Sequence, residues 1–235
     1  MRNLLAALLL VCICAAARAQ EMSPAAYKAY EAALRSEAAI LKQGLVQRRP
    51  NEADTVFLRR LFPTSFEAPP IKYAWRPSKY GPQLFFSHSQ RDDAHSVGAG
   101  TELFVLDPIQ PDRYAVQVLW LEPIEGELTN MAAFFFADVD RDGQKELLAL
   151  VYAEVQEVVM LEVGPGKKEK AVGRFSHWET QVFRYAGLSR AGRPRYQPDR
   201  FPRPYLNKLR SATEVRRALA QHQQRAKPLP SKIAK

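Results

Sequence analysis

Short apolar runs recur along the chain from Ile71 onward, and they constrain the fold more than any other feature of the sequence. The runs are rich in Val, Leu, Phe, Tyr and Trp, and they are separated by Pro, Gly, Asp and Asn, which is typical of β-strands joined by turns. They read IKYAW, PQLFFSHS, TELFVLDP, RYAVQVLWLE, MAAFFFADV, ELLALVYAEV, EVVMLEVG and WETQVFRYAG. Several runs are apolar on both faces, so other segments must cover the sheet on each side. The pattern predicts a mainly β fold, an antiparallel meander in the form of a partial barrel or a propeller-like sheet.

Helical patterns flank the β-rich region and are the natural covers for its two faces. Ser23-Pro24 is a favourable helix start, and an apolar stripe follows at spacings of three or four: Tyr27, Tyr30, Leu34, Ala38, Leu41 and Leu45. The stripe predicts a helix packed on the body, with pairing to another protein as the alternative. A second short helix is predicted after Asn51, with Val56, Leu58 and Leu61 near its buried side, ending before Pro63.

The C-terminal part of the chain begins with a proline-rich stretch and ends with a third helix. Four prolines between Ser189 and Arg210 disfavour helix and break up sheet. Ser211 and Glu214 have the spacing of a capping box, and Val215 and Leu219 mark one face of the helix that follows. Farther upstream, the sequence GPGKK predicts the tip of a hairpin.

The first nineteen residues have the composition of a secretory signal peptide. Arg2 precedes an apolar segment, Leu4 to Ala17, and Ala17-Arg18-Ala19 offers small residues for cleavage. An uncleaved anchor is the alternative, although the apolar segment is short for a membrane span. Both cysteines lie in this segment. The sequence therefore predicts a periplasmic or secreted protein that has no disulfides and no transmembrane segment after cleavage.

Charge is distributed unevenly along the chain. Residues 187–235 contain 13 Lys and Arg against two acids, whereas residues 20–186 contain 19 Lys and Arg against 23 acids. The chain is thus predicted to divide into a signal peptide (1–19), a helical lead segment (20–62), a β-rich domain (63–186) and a basic strap with the last helix (187–235). The excess of basic residues predicts a tail that binds a polyanion or one that docks on its own acidic body.

Arginines and aromatic residues alternate in this basic strap. The aromatic residues are Tyr196, Phe201 and Tyr205, and the arginines are Arg193, Arg195, Arg200 and Arg203. This combination suits an anionic envelope polymer, since export argues against nucleic acid as the partner. The alternative is a strap whose rings pack on the sheet while its arginines face water or pair with the acidic body.

Aspartates at alternate positions form the clearest candidate site, in the segment Asp138-Val139-Asp140-Arg141-Asp142-Gly143. Ca²⁺ takes about six to eight oxygen ligands, many of them from carboxylates, and a glycine permits the sharp turn of such a loop. An EF-hand would need Glu where Ala149 stands, and the flanking runs are typical of strands. An Asx-rich turn without an ion is the alternative, but three converging carboxylates would repel one another.

The pattern apolar-x-D-x-D-x-D-G-x-x-E-L resembles the calcium loop of FG-GAP and VCBS repeats, which lies between strands in integrin-type propellers. The resemblance covers about Phe134 to Leu150. It implies Ca²⁺ bound by four side chains and one backbone group: Asp138, Asp140, Asp142 and Glu146, with Gln144 as the backbone ligand. Family members usually have Asp where Glu146 stands. A small exported chain with one such loop also weakly resembles single-calcium-loop periplasmic proteins, some of which inhibit lysozyme.

The sequence favours a non-enzymatic protein with one structural Ca²⁺ that binds a protein or an envelope polymer. The rival interpretation is a metal-dependent hydrolase that uses His88, Asp92 and His95, since histidines and carboxylates can bind zinc or transfer protons. The same segment is also typical of a polar loop between strands. His177 is predicted to pack or to lie at the surface. A third interpretation is assembly through exposed sheet edges.

Overall fold

The computed structural model describes residues 23–66, 69–89 and 101–225. In these ranges the helices are α1 (Pro24–Gln43), α2 (Asp54–Leu61) and α3 (Ala212–Arg225), and a 3-10 turn spans Pro204–Leu206. The strands are β1 (Leu45–Gln47), β2 (Ile71–Tyr73), β3 (Gln83–Ser89), β4 (Thr101–Gln110), β5 (Arg113–Trp120), β6 (Asn130–Ala137), β7 (Glu146–Gly164), β8 (Lys167–Leu188) and β9 (Pro194–Pro198). None of the helices in the described ranges combines the length and the apolar composition that a membrane crossing needs.

The strands form two antiparallel sheets. Sheet 1 has the order β1-β5-β4-β3-β2, and sheet 2 has the order β6-β7-β8-β9. Each sheet is thus built from one continuous half of the chain. Within the described residues neither sheet closes into a barrel. The predicted mainly β fold with helices at both ends is confirmed, and its meander is divided between two open sheets.

The two sheets pack face to face through a shared apolar cluster. Phe85 and Leu103 of sheet 1 and Leu147 and Val151 of sheet 2 belong to it, and all four side chains are buried. Alternate residues of a strand point to opposite faces, so the intervening positions need covers of their own. The order of layers is therefore helix, sheet, sheet, helix.

The helices supply the two outer covers. On sheet 1, Phe86 and Phe104 pack with Phe57 and Leu58 of α2. On sheet 2, the cover comes from α3 and the 3-10 turn, whose buried residues Val215, Leu219 and Leu206 pack on Leu148, Leu150 and Val182. The expectation that helices from the two chain ends cover the sheet faces is met.

The predicted helix starts are observed, but the apolar stripe of α1 is only partly buried. Ser23 caps the helix by accepting from the Ala26 N–H at 3.3 Å, whereas Tyr27, Tyr30 and Leu34 are exposed. The buried residue of α1 is Glu37, whose carboxylate accepts from Thr64 N–H and Ser65 Oγ–H. The prediction that the whole stripe packs on the body is wrong, because only the C-terminal part of α1 lies over sheet 1.

The short helix α2 ends before Pro63, as predicted. Leu58 and Leu61 lie on its buried side, but Val56 is 57% exposed and Phe57 takes its place in the core. The prediction therefore placed the buried side of this helix one residue too early, at Val56 instead of Phe57.

The proline-rich stretch contains a strand that the sequence did not predict. β9 begins at Pro194, ends at Pro198 and pairs with β8 alone, at the edge of sheet 2. An edge strand needs a partner on one side only, so prolines at its ends are tolerated. The prolines therefore correctly predicted that this stretch forms no α-helix, but the prediction that they break up a sheet is wrong for β9.

The GPGKK sequence forms the predicted hairpin tip. Pro165 and Gly166 join β7 to β8, and Gly166 has a φ of +72°. The strands on either side of this tip are much longer than the apolar runs suggested, and they extend well beyond β6 and β9.

Candidate metal centre and the adjoining cleft

The aspartate loop connects β6 to β7 at one end of sheet 2. Ala137 pairs with Glu146 across the base of the loop, which brings the two ends of the loop together. Arg141 and Gly143 both have positive φ values, +68° and +86°. The loop therefore turns back on itself within a few residues, and glycine at 143 allows this without strain from a side chain.

Side-chain oxygens of the loop accept hydrogen bonds from its own backbone. Asp138 accepts from the N–H groups of Arg141 and Gly143, at 2.7 and 3.1 Å. Asp140 accepts from Asp142 N–H at 3.1 Å, and Asp142 accepts from Gln144 N–H at 2.7 Å. These bonds fix each aspartate by its own neighbours, so the loop shape is set locally.

Three of the predicted ligands converge. Carboxylate oxygens of Asp138, Asp140 and Glu146 lie within 4.8 Å of one another. An ion with Ca–O distances of about 2.3–2.6 Å spans oxygens separated by about twice that length. Hard oxygen donors of this kind suit Ca²⁺ better than they suit zinc.

The two remaining predicted ligands lie in the same loop. Asp142 is not part of the converging group, and its Oδ1 accepts from the Gln144 backbone. The role of Gln144 as a backbone ligand stays a prediction.

The environment of Glu146 disfavours the negative charge of its carboxylate. It is buried, and burial raises the pKa of its carboxyl, with the charges of Asp140 and Asp142 adding to the rise. The Val139 N–H donates to it at 2.8 Å and acts in the opposite direction. A cation among these carboxylates would relieve both the desolvation and the repulsion.

Contacts from outside the loop hold both of its ends. Trp75, between β2 and β3, donates from Nε1 to the Lys145 carbonyl at 2.5 Å. Gln223 of α3 donates from Nε2 to the Asp138 carbonyl at 2.8 Å. The loop is therefore tied to sheet 1 at one end and to the last helix at the other.

A cleft of about 1220 Å³ adjoins the loop on the side of Trp75. Cationic side chains outnumber acidic ones in its lining, and they are Arg76, Lys79, Lys145, Arg184 and Arg195. The acids of its lining are Asp140, Asp142 and Glu146, all from the loop itself. Tyr73, Trp75 and Tyr185 add aromatic surface. The cleft thus places cations and rings beside the candidate metal centre.

A buried polar network fixes one wall of this cleft. Asp107 is 1% exposed, and Arg76 donates to it through Nε and Nη2 at 2.6 and 2.5 Å. Tyr196 donates its hydroxyl to the same carboxylate at 2.5 Å, and burial, with Asp107 beside it, raises the pKa of Tyr196. The Tyr196 ring stacks on Trp75, with centroids 4.3 Å apart. The guanidinium of Arg76 therefore has a structural role as the partner of Asp107, whereas Lys79, Arg184 and Arg195 are exposed.

Sequence reasoning did not identify this network. The one feature of the sequence that indicates such a network is Asp107, a carboxylate that follows the apolar residues Val105 and Leu106 in a strand. A charge at such a position is seldom fully buried unless it is paired, so it points to a buried partner. Which partner reaches it could not be read from the sequence, because Arg76 and Tyr196 lie 31 and 89 residues away.

The predicted hydrolase constellation is only partly within the described residues. His88 lies on β3 opposite Glu102 of β4, not in a loop, while Asp92 and His95 fall outside the described ranges. Among the residues that the structure describes, the Asp138 group is the one cluster of His, Cys, Asp and Glu with ligand atoms close enough to share an ion. The hydrolase interpretation therefore stays a prediction.

His177 joins two segments through carboxylates. Its Nδ1 lies 2.9 Å from Glu125, in the connection between β5 and β6, and its Nε2 contacts Glu157 of β7. Glu157 and, to a lesser degree, Glu125 raise the pKa of His177. The half-buried imidazole is a tether, in agreement with the predicted packing or surface role.

The comparisons with known proteins identify no relative: no family model matches this chain, and neither a curated protein nor a solved structure matches it.

Proposed function

We propose that this chain is an exported, non-enzymatic binding protein whose β6–β7 loop holds one structural Ca²⁺. The observation that carries the proposal is the convergence of Asp138, Asp140 and Glu146 within 4.8 Å. Asp142 and the Gln144 carbonyl are proposed to complete the shell with water. Export is inferred from the apolar segment at the start of the sequence.

The metal would fix a loop that contacts two other parts of the fold. The loop lies between Trp75 and Gln223, so an ion that fixes its shape also fixes the attachment of α3 and of the β2–β3 connection. Beyond the signal segment the chain has no cysteine, so disulfides cannot do this. An ion that binds only the folded state adds about 2.7 kcal/mol at a 100-fold excess over Kd.

Calorimetric titration of Ca²⁺ into chelator-stripped protein tests the metal site. We expect saturable binding near one site per chain and a rise in Tm, both lost in Asp140→Ala because a converging ligand is removed. Glu127→Ala is the matched control, since Glu127 is an exposed acid outside the loop. A folded protein with no heat and no thermal shift would reduce the loop to a turn.

The cleft beside the loop is the proposed binding surface, and an anionic polymer is the ligand class that it fits. Lys79, Arg184 and Arg195 are exposed on its rim, and the half-buried rings of Tyr73 and Tyr185 add aromatic surface for sugar-like units. Ca²⁺ in the loop would offset part of the negative charge of its carboxylates and so weaken the repulsion between the loop and an anionic polymer. The metal and the cleft would thus act together on the same polymer.

Binding to dextran sulfate, with uncharged dextran as the matched probe, tests the cleft. Lys79→Glu and Arg195→Glu are expected to weaken binding by roughly tenfold each and to reduce its salt dependence, since each reverses a rim charge. Arg217→Glu on α3 is the control, because it makes the same change of charge outside the cleft. Equal losses in all three variants would show that only net charge matters and would reject the cleft.

A further inference from the structure

The β7–β8 hairpin extends beyond sheet 2 as a two-stranded arm, residues 154–176. β6 pairs with β7 only as far as Tyr152, and β9 pairs with β8 only from Phe183 onward. Along the arm, each strand therefore has only the other as its strand partner within the described part of the chain. An isolated two-stranded hairpin is marginally stable in water, so an arm of this length gains from a covering partner.

One face of the arm is strongly apolar at its centre and exposed. Val158 lies directly opposite Val172, and they are 65% and 71% exposed, with the adjacent Met160 55% exposed. On the other face Val155 is buried at the base of the arm, whereas Leu161 and Val163 near the tip are 50% and 53% exposed. The charged residues at its paired positions, Glu157 and Glu169, are both acidic, so the Val158 face is the one that combines exposed apolar residues with charges of both signs.

The two strands of the arm carry opposite charges. The β7 part, residues 154–164, has three glutamates and no Lys or Arg. The β8 part, residues 167–176, has four Lys and Arg and one glutamate. On the Val158 face, Glu162 lies opposite Lys168, and Met160 lies opposite Lys170. The face thus has an acidic side, an apolar centre and a basic side.

This arrangement is complementary to itself in one orientation. If two arms stack with a two-fold axis running along them, β7 of each copy lies over β8 of the other. Val158 then meets Val172, and Glu162 meets Lys168 of the second copy. If the axis runs across the arms, β7 lies over β7 and glutamates face glutamates. Two-fold contacts of the first kind satisfy both apolar and charged groups.

We propose that the arm is a dimer interface, and that its occupant is the arm of a second copy of this chain, packed in the parallel orientation. A polyanion would meet the glutamates of β7, and a polycation would meet the lysines of β8. A second copy presents acidic and basic sides together at the matching positions. This proposal is independent of the metal site and of the cleft.

The molar mass of the purified protein by light scattering tests the interface, with concentrations up to about 100 μM, which lies well above a micromolar Kd. We expect twice the mass of one chain. Val172→Glu places a charge at the apolar centre and is expected to weaken association by at least about tenfold. Val56→Glu is the matched control, because Val56 is a comparably exposed valine on α2, outside the arm.

A pair of charge reversals tests the orientation. Glu162→Lys alone would place lysine over lysine, and Lys168→Glu alone would place glutamate over glutamate, so each variant is expected to lose dimers. When the two variants are mixed, both contacts become lysine with glutamate, and dimers are expected to return. This restoration cannot come from a variant that fails to fold, so it guards against that outcome.

Two results would overturn the proposal. One is wild-type protein with the mass of a single chain over the whole concentration range, which would leave the arm to some other macromolecule. The other is a dimer that survives Val172→Glu and both charge reversals, which would place the contact elsewhere on the chain.

Discussion

At the scale of single residues, Asp107 organises the polar interior between the two sheets. A buried charge is costly unless it is paired and hydrogen-bonded. Here Arg76 from the β2–β3 connection and Tyr196 from β9 both donate to the carboxylate, so three distant segments meet at one group. Breaking one bond of such a network leaves the remaining groups without full compensation.

Tyr196→Phe removes one donor from Asp107 and keeps the ring on Trp75. We expect a loss of about 1.5–3 kcal/mol in the free energy of unfolding, because the bond goes to a charged acceptor. Urea denaturation measures this loss. Tyr80→Phe, at an exposed tyrosine, should change stability by less than about 0.5 kcal/mol. Similar small changes in both variants would contradict a stabilising role for the network.

His177 gives stability a defined dependence on pH. Its pKa in the folded state is raised above 6.5 by Glu157 and Glu125, so the folded protein holds the proton more tightly than the unfolded chain. The contribution is full below the unfolded pKa and is lost as pH rises through the folded pKa. As the pH rises above about 6.5, Tm of the wild type should therefore fall relative to that of His177→Gln.

Glu157→Gln provides the control for this titration, since it removes the largest cause of the raised pKa of His177. Its Tm profile should approach that of His177→Gln. Parallel profiles for all three proteins would show that the tether does not contribute to stability.

At the scale of elements, α3 is held on sheet 2 by a small number of apolar residues. Leu219 is 4% exposed and packs in the cluster that covers the outer face of the sheet. Leu219→Ala is expected to cost about 2–5 kcal/mol in chemical denaturation, through lost burial and the cavity left behind. Arg217→Ala, two residues earlier on the exposed side of the helix, should stay within about 0.5 kcal/mol. Equal effects would mean that α3 does not pack as described.

Short sequence patterns were sufficient to predict those parts of the structure that are held by contacts between residues close in sequence. The caps at Ser23 and Ser211, the tip at Pro165-Gly166 and the aspartate loop all form from residues close in sequence, and the sequence predicted each of them. One detail differs, since the Glu214 carboxylate accepts from Arg210 N–H instead of the Ser211 N–H.

The sequence did not predict burial where burial depends on how far one helix or strand overlaps its neighbours in the folded protein. The periodicity of α1 shows an apolar face, but it does not show how far the helix extends past sheet 1, so Tyr27 and Leu34 are exposed. The edge position of β9 and the projection of the arm beyond its neighbours are likewise properties of the assembled sheets. The Arg76–Asp107–Tyr196 network needs three segments whose approach no local pattern encodes.

At the scale of the whole molecule, the basic strap lies on the acidic body. Arg200 lies 3.8 Å from Glu122 of the body, and Arg193 donates to the Gln43 carbonyl at the end of α1 at 2.8 Å, whereas Arg203 pairs with Asp199 within the strap. Tyr196 is buried and Tyr205 stacks on His222, whereas Phe201 is 71% exposed. Most of the strap thus agrees with the packing alternative, while Arg195 remains on the rim of the cleft.

Because the two sheets come from successive parts of the chain, sheet 1 can form before sheet 2. Sheet 1 and its helical cover are complete in sequence at Trp120, before any strand of sheet 2 begins. A chain delivered from its N-terminal end can therefore assemble one half while the other is still being supplied, and contacts within a half close short loops first. Tyr196 reaches Trp75 and Asp107 only near the end of the chain. Its insertion would be the step that locks two already formed halves into one body.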